Sequence, residues 1–148
     1  MVFGVLGLGS IGSRHAVNLR DLGEEVATFD PSEERCNWAS ANGITPIDSR
    51  KRLLEVSEAL IIASPNGFHF NDLKDGISSN CHCFVEKPIA HKLEGLKAVL
   101  DQATKKRLQV FTGLNLRFHP AVLKARTMLG QNVVGIPLWA TLVSSHYL

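Results

Sequence analysis

Three glycines near the amino terminus constrain the fold of this chain more than any other feature. Gly7, Gly9 and Gly12 follow the apolar run 2–6 and precede segment 11–22, whose apolar residues have the spacing of one helix face. In a strand–turn–helix unit the first glycine permits a tight turn, the second lets the backbone approach a pyrophosphate, and the third lets the helix pack on the strand. The G-x-G-x-x-G pattern therefore predicts a phosphate site at a helix start, where unpaired N–H groups and the helix dipole attract anions.

An acidic residue after the second apolar run supports this interpretation. Asp30 follows segment 26–29 and lies 18 residues after Gly12, where a carboxylate can accept hydrogen bonds from the ribose hydroxyls of adenosine. The same carboxylate would repel a 2′-phosphate, so we expect NAD rather than NADP. The alternative is that the glycines only form a turn and that Asp30 only caps a helix.

Strand-like and helix-like segments continue to alternate along the chain. Apolar runs of strand length recur at 59–63, 83–85 and 108–111, and helix-like segments separate them. In the later segment, apolar residues step by three and four from Leu93 to Ala103, which predicts a helix. This alternation is typical of a parallel sheet with helices on both faces, so the predicted fold class is α/β, a doubly wound Rossmann sheet. After a further helix over 120–129, the run 136–147 reads as a strand that has no obvious partner.

The composition indicates one ordinary globular domain. The chain has 148 residues, 45% hydrophobic and 20% charged, with 16 Lys and Arg against 14 Asp and Glu. These values exclude disorder, and we expect no nucleic-acid partner because the basic excess is small. No run approaches the roughly 18 apolar residues of a membrane span, and a signal-peptide pattern is missing. We therefore expect a cytoplasmic protein with reduced cysteines.

Polar residues follow the run 59–63 at the point where a strand would end. Pro65, Asn66 and His69 come directly after it, and in an open parallel sheet that end borders the ligand crevice. The amide of Asn66 can hydrogen-bond a ribose or a carboxamide. His69 taken alone is equally well explained as an ordinary residue at the start of a helix.

Glu86, Lys87 and Pro88 occupy the equivalent position after the run 83–85. Pro88 disfavours helical geometry at Lys87 and holds it extended at the rim of the crevice. A lysine there can hydrogen-bond a substrate hydroxyl and help to move its proton as hydride leaves for the cofactor. The alternative is a solvated lysine next to a turn.

Cys81, His82 and Cys83 do not predict a metal site, although the cluster has suitable ligand types. On a strand the two cysteines face one side and His82 the other, so the three cannot converge on one ion. We expect packed thiols and no metal.

Five segments in fixed order are similar to one known family. The residues GLGSIGSRH (7–15), Asp30, SPNGFH (64–69), VEKPI (85–89) and NLRFHP (115–120) together resemble the Gfo/Idh/MocA family of oxidoreductases. The resemblance implies a Rossmann domain that binds NAD(P), followed in typical members by a larger α/β domain. That second domain forms the substrate floor and much of the oligomer interface.

The resemblance also implies a role for each matching residue. Gly7, Gly9 and Gly12, with the amides of Ser10 and Ile11, would bind the pyrophosphate, and Asp30 would bind the adenosine ribose. The nicotinamide half of the cofactor would lie against a further set of residues: Pro65, Asn66, His69, Glu86, Lys87, Asn115 and Arg117. Lys87 would contact both the cofactor and a substrate hydroxyl, which makes it the expected catalytic residue.

The same resemblance divides the chain into a Rossmann domain, 1–118, and a segment, 119–148, that holds a connecting helix and the first strand of a second domain. Family enzymes usually place an Asp-x-x-x-His pair in that domain, and this pair does not occur in the 148 residues. We therefore expect NAD binding without turnover, within an oxidoreductase that acts on a sugar or a sugar derivative, including nucleotide-linked or amino sugars.

Two other functions stay open from the sequence. The chain could be a non-catalytic NAD-binding or sensing module whose last strand pairs with a partner chain or a second copy, since an exposed strand drives association. It could also be an S-adenosylmethionine methyltransferase, although the complete glycine pattern and the segment 86–88 weigh against that class.

Overall fold

Six parallel strands form the centre of the structure, a computed structural model that describes residues 1–141 and 143. The strands are β1 (Val2–Leu6), β2 (Glu25–Phe29), β3 (Thr45–Pro46), β4 (Ala59–Ile62), β5 (His82–Val85) and β6 (Val110–Thr112). They lie in the order β3-β2-β1-β4-β5-β6. This doubly wound order is that of the Rossmann fold, so the predicted fold class is confirmed.

Helices connect successive strands, and one more follows the sheet. They are α1 (Ser10–Asp21), α2 (Glu33–Ala41), α3 (Arg50–Val56), α4 (His69–Ser78), α5 (Leu96–Lys105) and α6 (Pro120–Gly130). None of the helices in the described residues is both long enough and apolar enough to cross a membrane.

The strand register brings the carboxyl ends of the central strands to one edge of the sheet. Leu6 pairs with Phe29 of β2 and with Ile62 of β4, and Ile62 pairs with Val85 of β5. The strand order reverses between β1 and β4, because β2 and β3 lie on one side and β5 and β6 on the other. Ligands of open parallel sheets bind at such a reversal, so the loops after β1 and β4 flank the expected crevice.

The core is divided by the sheet into two clusters. Leu60 and Ile62 of β4 belong to one cluster, whereas Ile61 belongs to the other. Side chains alternate across a strand, so a run that is apolar at every position is what burial on both faces requires. The continuous apolar pattern of 59–63 thus has a direct structural cause.

The elements β3 and α3 lie in a stretch, 44–58, for which the sequence pattern predicted nothing. β3 has only two residues, and α3 has seven. The helix begins after Ser49, whose Oγ accepts a hydrogen bond from the Arg52 N–H at 3.3 Å, and it buries Leu53 and Leu54. Elements this short contain too few residues for a periodic pattern to be visible.

Two predicted boundaries differ from the structure. The helix expected from Leu93 begins at Leu96, because Gly95 before it has φ +74° and lies outside helical geometry. The last strand is β6 rather than 108–111, since the turn after α5 extends through Arg107, which has φ +59°.

The described residues from Leu114 onward form a second compact unit, and the predicted domain division after residue 118 stays a prediction. This unit contains a 3-10 turn, Asn115–Phe118, and α6, the helix predicted after residue 119. The predicted strand over 136–147 is not formed in residues 136–141 and 143, because a strand needs a hydrogen-bonded neighbour and no described strand pairs with these residues. Its remaining residues lie outside the described part. Pairing with a second chain stays a prediction.

Candidate functional site

In the glycine loop after β1, two positions, Gly7 and Gly12, leave no room for a side chain. Gly7 has φ +85°, and a Cβ there would lie 2.8 Å from the Ala63 carbonyl oxygen. A Cβ at Gly12 would collide with the carbonyl oxygen of Gly7. A Cβ at Gly9, in contrast, would meet no atom within 4 Å. The loop therefore packs tightly against β4 on one side and is open at Gly9 on the other.

The first turn of α1 begins directly at this open position. Gly9 is the N-cap of α1 and has no side chain to cap the helix. Its carbonyl oxygen accepts a hydrogen bond from the Ser13 N–H at 2.9 Å. The first N–H groups of a helix have no carbonyl partner inside it, so the amides of Ser10 and Ile11 are available to an anion. A phosphate group at this place would gain both these donors and the helix dipole.

Asp30 is fixed beside the glycine loop by two backbone amides. Its Oδ2 accepts from Leu8 N–H at 2.7 Å, and its Oδ1 accepts from Ser32 N–H at 2.9 Å. Ser13 braces the same loop, because its Oγ donates to the Leu8 carbonyl oxygen at 2.8 Å. A carboxylate oxygen accepts more than one hydrogen bond, so both oxygens keep capacity for hydroxyl donors.

A cleft of about 330 Å³ lies beside this carboxylate. We call it the Asp30 cleft, and its lining residues are Leu6, Gly7, Phe29, Asp30, Pro31, Arg50, Ser64, Pro65, Phe68 and Asp72. Its volume is within the range of small-ligand sites. The structure thus brings together three of the residues singled out from the sequence, Gly7, Asp30 and Pro65.

Three of the residues that line the Asp30 cleft, Arg50, Ser64 and Asp72, belong to an ion cluster. Arg50 donates from Nε and Nη2 to Asp72 Oδ1 at 3.0 and 2.8 Å, and from Nη2 to Asp75 Oδ2 at 2.8 Å. Ser64 Oγ donates to the second oxygen of Asp72 at 2.5 Å. Burial lowers the pKa of Arg50, but the hydrogen bonds to Asp75 and Asp72 outweigh it and leave that pKa raised. The guanidinium is therefore charged in all ordinary buffers.

His69 ties two loops together rather than facing open space. Its side chain is 1% exposed, with Nδ1 at 2.7 Å from the Pro88 carbonyl oxygen and Nε2 at 2.8 Å from the Ser64 carbonyl oxygen. The loop after β4 is thereby linked to the loop after β5. His69 would thus affect ligand binding by holding these two loops together. Its direct contact with a cofactor stays a prediction.

Glu86 and Lys87 differ in their surroundings. Glu86 Oε1 lies 2.9 Å from Nε2 of His15, a residue of α1, and the carboxylate packs against Gly113, where a Cβ would lie 3.0 Å from it. Lys87 is exposed, and its side chain makes no ion pair with the described residues. The ammonium group is thus free to meet a ligand at the end of β5.

Among the other predicted positions, Asn66 lines a cavity of its own. Asn66 lines a second cavity of about 530 Å³, together with Lys74, His91 and Lys92. Asn115 and Arg117 belong to the second compact unit, so their approach to a cofactor stays a prediction.

The thiols of Cys81, directly before β5, and of Cys83, within it, are buried in the core. Burial raises the pKa of Cys81, and burial followed by the proximity of Cys81 raises the pKa of Cys83 to about 12. His82 points the other way, and its Nδ1 accepts from Gln109 N–H at 3.0 Å. Among the described residues no group of three His, Cys, Asp or Glu side chains is arranged to hold a metal ion.

Sequence reasoning missed four residues of this region: His15, Arg50, Ser64 and Asp72. Arg50 lies on α3, an element the pattern did not predict, and its partners are 22 and 25 residues away along the chain. Such pairings leave no local signal. The position of His15 was a usable signal, since it follows Gly12 by three residues and so lies on the same face of α1.

Comparison with protein families gives one match that covers most of the chain. The model for the GFO_IDH_MocA oxidoreductase family, NAD-binding Rossmann fold, matches residues 1–114.

Curated relatives of this chain include two named dehydrogenases. The chain is 27% identical over 135 residues to the glucose-6-phosphate 3-dehydrogenase of Bacillus subtilis. The matched region covers 89% of this chain and 39% of that protein. It is 28% identical over 120 residues to the UDP-N-acetylglucosamine 3-dehydrogenase of Acidithiobacillus ferrooxidans, with 80% of this chain and 38% of that protein covered. The chain therefore spans about two fifths of the length of these relatives.

Solved structures show the same likeness. The UDP-N-acetylglucosamine 3-dehydrogenase structure aligns with a TM-score of 0.80 at 28% identity, over 86% of this chain and 41% of the other. A scyllo-inositol dehydrogenase from Lactobacillus casei, with bound NAD(H) and scyllo-inositol, aligns with a TM-score of 0.82 at 22% identity, over 91% of this chain and 42% of the other. The second likeness concerns the fold.

Proposed function

Because the chain belongs to the GFO_IDH_MocA family of NAD-binding oxidoreductases, we propose that it holds NAD(H) along the glycine loop and in the Asp30 cleft. It would do so as the cofactor-binding part of a dehydrogenase that acts on a sugar, a cyclitol or a sugar derivative. The observation that carries this proposal is the Asp30 carboxylate, fixed 2.7 Å from the Leu8 amide on the rim of the cleft.

The described residues suit a dinucleotide. The open space at Gly9 and the amides of Ser10 and Ile11 suit the pyrophosphate, and the remaining lone pairs of Asp30 suit the two ribose hydroxyls of adenosine. Pro65, which lines the cleft, and Asn66, which follows it, would lie against the nicotinamide half of the cofactor. A carboxylate at the ribose disfavours a 2′-phosphate, so the proposal includes NAD rather than NADP.

The proposed reaction assigns one catalytic role to this chain. Bound nicotinamide supplies the hydride acceptor or donor. Lys87 would hydrogen-bond the substrate hydroxyl through Nζ and hold or pass on its proton, and its exposed position at the end of β5 supports this role. Glu86, paired with His15 at 2.9 Å, would keep the same loop in place.

The substrate class in this proposal comes from the relatives. Two of them are named for oxidation at position 3 of a sugar derivative, and one solved neighbour contains scyllo-inositol. All three compounds carry several secondary hydroxyls on a six-membered ring. A ring polyol is therefore the substrate to test first.

Titration with NADH tests the proposal directly. NADH fluorescence should rise and saturate on addition of the protein. The variant Gly9→Ala should weaken binding by about tenfold or more, an energy of roughly 1.4 kcal/mol, because its methyl group would occupy the open space meant for phosphate. Since that methyl meets no protein atom, the thermal unfolding midpoint should stay unchanged.

The matched control is Gly130→Ala, where a Cβ also meets no atom within 4 Å but the position lies at the end of α6. This variant should bind NADH as the parent does. Equal NADH affinity in the parent and in Gly9→Ala would contradict the proposed position of the pyrophosphate, and S-adenosylmethionine binding in place of NADH would overturn the cofactor class.

A further inference from the structure

One charged group of the Asp30 cleft has no role in the function proposed above. Arg50 lines the cleft together with Asp30, yet its guanidinium is directed to Asp72 and Asp75 rather than to Asp30. An arginine beside a ribose is a natural partner for a 2′-phosphate, because the guanidinium binds phosphate oxygens in pairs. The cleft therefore contains a group that favours NADP and a group that favours NAD.

The two acidic partners hold the guanidinium in place from different sides. Asp72 is 5% exposed and is itself fixed by the Ser64 hydroxyl at 2.5 Å. Asp75 lies one helical turn further along α4, is about half exposed, and takes a second N–H of the Nη2 group. Of the five N–H donors of an arginine, the Nε–H and both on Nη2 are thus engaged within the cluster.

The charges of this region favour the dinucleotide without a phosphate on its ribose. Two carboxylates, those of Asp72 and Asp75, pair with the Arg50 guanidinium, and a third, that of Asp30, lines the same cleft. A 2′-phosphate adds negative charge to a set that is already negative. An adenosine ribose with free hydroxyls adds none, and it finds acceptors on Asp30.

We propose that Arg50 is a specificity-determining residue of the cofactor cleft, and that its ion pairs with Asp72 and Asp75 weaken its interaction with a 2′-phosphate by leaving only the Nη1 donors for it. This proposal rests on the proposed NAD site. It adds that discrimination against NADP depends on the Arg50 cluster as well as on Asp30. Removing Asp75 releases part of the guanidinium, whereas removing Arg50 takes away the one cationic side chain among the described residues that line the cleft.

Four variants separate these contributions, with the dissociation constants of NADH and NADPH measured for each by fluorescence titration. Asp30→Ser removes the carboxylate at the ribose, and NADPH affinity should rise by about tenfold. Asp30→Ser combined with Asp75→Asn should raise it by about a further threefold, the effect of one partly exposed charge. Asp30→Ser combined with Arg50→Gln should lose most of the tenfold gain, and Asp30→Ser with Arg50→Lys should retain part of it.

The control is Arg52→Gln in the Asp30→Ser background. Arg52 lies on the same helix, is paired with Glu55 at 3.5 Å, and does not line the cleft, so the NADPH affinity of Asp30→Ser should be unchanged. Thermal unfolding of each variant shows whether it is folded.

The outcomes distinguish the two proposals. Equal NADPH affinity of Asp30→Ser with and without Arg50→Gln, in folded proteins that bind NADH, would overturn the role of Arg50 and leave the NAD site standing. Absence of NADH binding to the parent protein would overturn the NAD site and the role of Arg50 together.

Discussion

The two compact units of this chain differ in how far their apolar side chains are exposed. In residues 1–113 the strands place Leu60 and Ile62 in a core where both have no exposed surface. In residues 114–141 the apolar side chains Phe118 and Trp139 are largely exposed, as is Leu138 at 93%. Hydrophobicity alone thus does not create a core. Burial requires a neighbouring element, and the first unit supplies one on each face of its sheet.

The site follows the same division. The glycine loop, Asp30 and the Arg50 cluster all lie in the first unit, where hydrogen bonds and close packing define each position. Asn115 and Arg117 lie in the second unit, and what they contact in the assembled site is a prediction. Substitutions in the two units should therefore differ in their effect on stability.

Truncation of a core leucine should give the largest effect. Leu60→Ala removes a side chain that is fully enclosed at the centre of β4, and the free energy of unfolding should fall by about 2–5 kcal/mol. Leu138→Ala makes the same chemical change at an exposed position and should alter that free energy by less than about 0.5 kcal/mol. Urea denaturation measures both. Similar losses for the two variants would show that Leu138 is buried in the protein.

Addition of a methyl group in the glycine loop should have the next largest effect. Gly12→Ala creates a collision with the Gly7 carbonyl oxygen, and the required shift of α1 should cost about 1–3 kcal/mol of stability. The control Gly130→Ala meets no atom and should be neutral or stabilising by up to ~1 kcal/mol, since alanine favours helix. A Gly12→Ala protein as stable as its parent would contradict the close packing of α1 on the loop.

The three cysteines should differ in reactivity and in their effect on alkaline stability. The thiol of Cys83 has a pKa of about 12, against 9.0 for a free thiol, because it is buried. Below about pH 9 this thiol is neutral in both the folded and the unfolded state, and its contribution to stability is complete. Between about pH 9 and pH 12 only the unfolded chain loses the proton, so stability falls as pH rises.

Iodoacetamide labelling followed by mass spectrometry checks this difference. At about pH 8 the half-buried Cys36 should react first, while Cys81 and Cys83 should react only on unfolding. A Cys83→Ala variant should lose less stability than its parent over the alkaline range. Rapid labelling of Cys83 in the folded protein would contradict its position in the core.

Loss of a helix cap should give the smallest effect. Ser49→Ala removes the Oγ that accepts from the Arg52 N–H at the start of α3, and the expected cost is about 1 kcal/mol. The same change at Ser32, an N-cap residue whose side chain makes no capping hydrogen bond, should cost less. Thermal unfolding of the two variants compares them. Because α3 carries Arg50, the Ser49 variant also reports on the stability of one wall of the Asp30 cleft.

The sequence predicted the first unit well because its signals are local. The spacing from Gly12 to Asp30 and the unbroken apolar run 59–63 are short-range consequences of a parallel sheet with helices on both faces. The family and its fold followed from the order of these motifs, and both are confirmed.

The other features of the fold and of the site could not be predicted from the sequence, for three physical reasons. The short elements β3 and α3 show no periodicity, and the pairing of Arg50 with Asp72 joins distant parts of the chain. The run 136–147 has the composition of a strand, but a strand forms only against a partner, and the described residues 136–141 remain unpaired. The composition of a segment shows that it can form a strand, whereas a neighbouring strand is needed for it to do so.

Hydrogen–deuterium exchange with and without NADH tests the central claim most directly, because it reports on both units at once. NADH should slow amide exchange in the glycine loop, residues 7–12, and around Asp30, while exchange in α6 should be unchanged. Slower exchange confined to α6, or no change in the glycine loop at saturating NADH, would contradict the proposal that the first unit holds the cofactor.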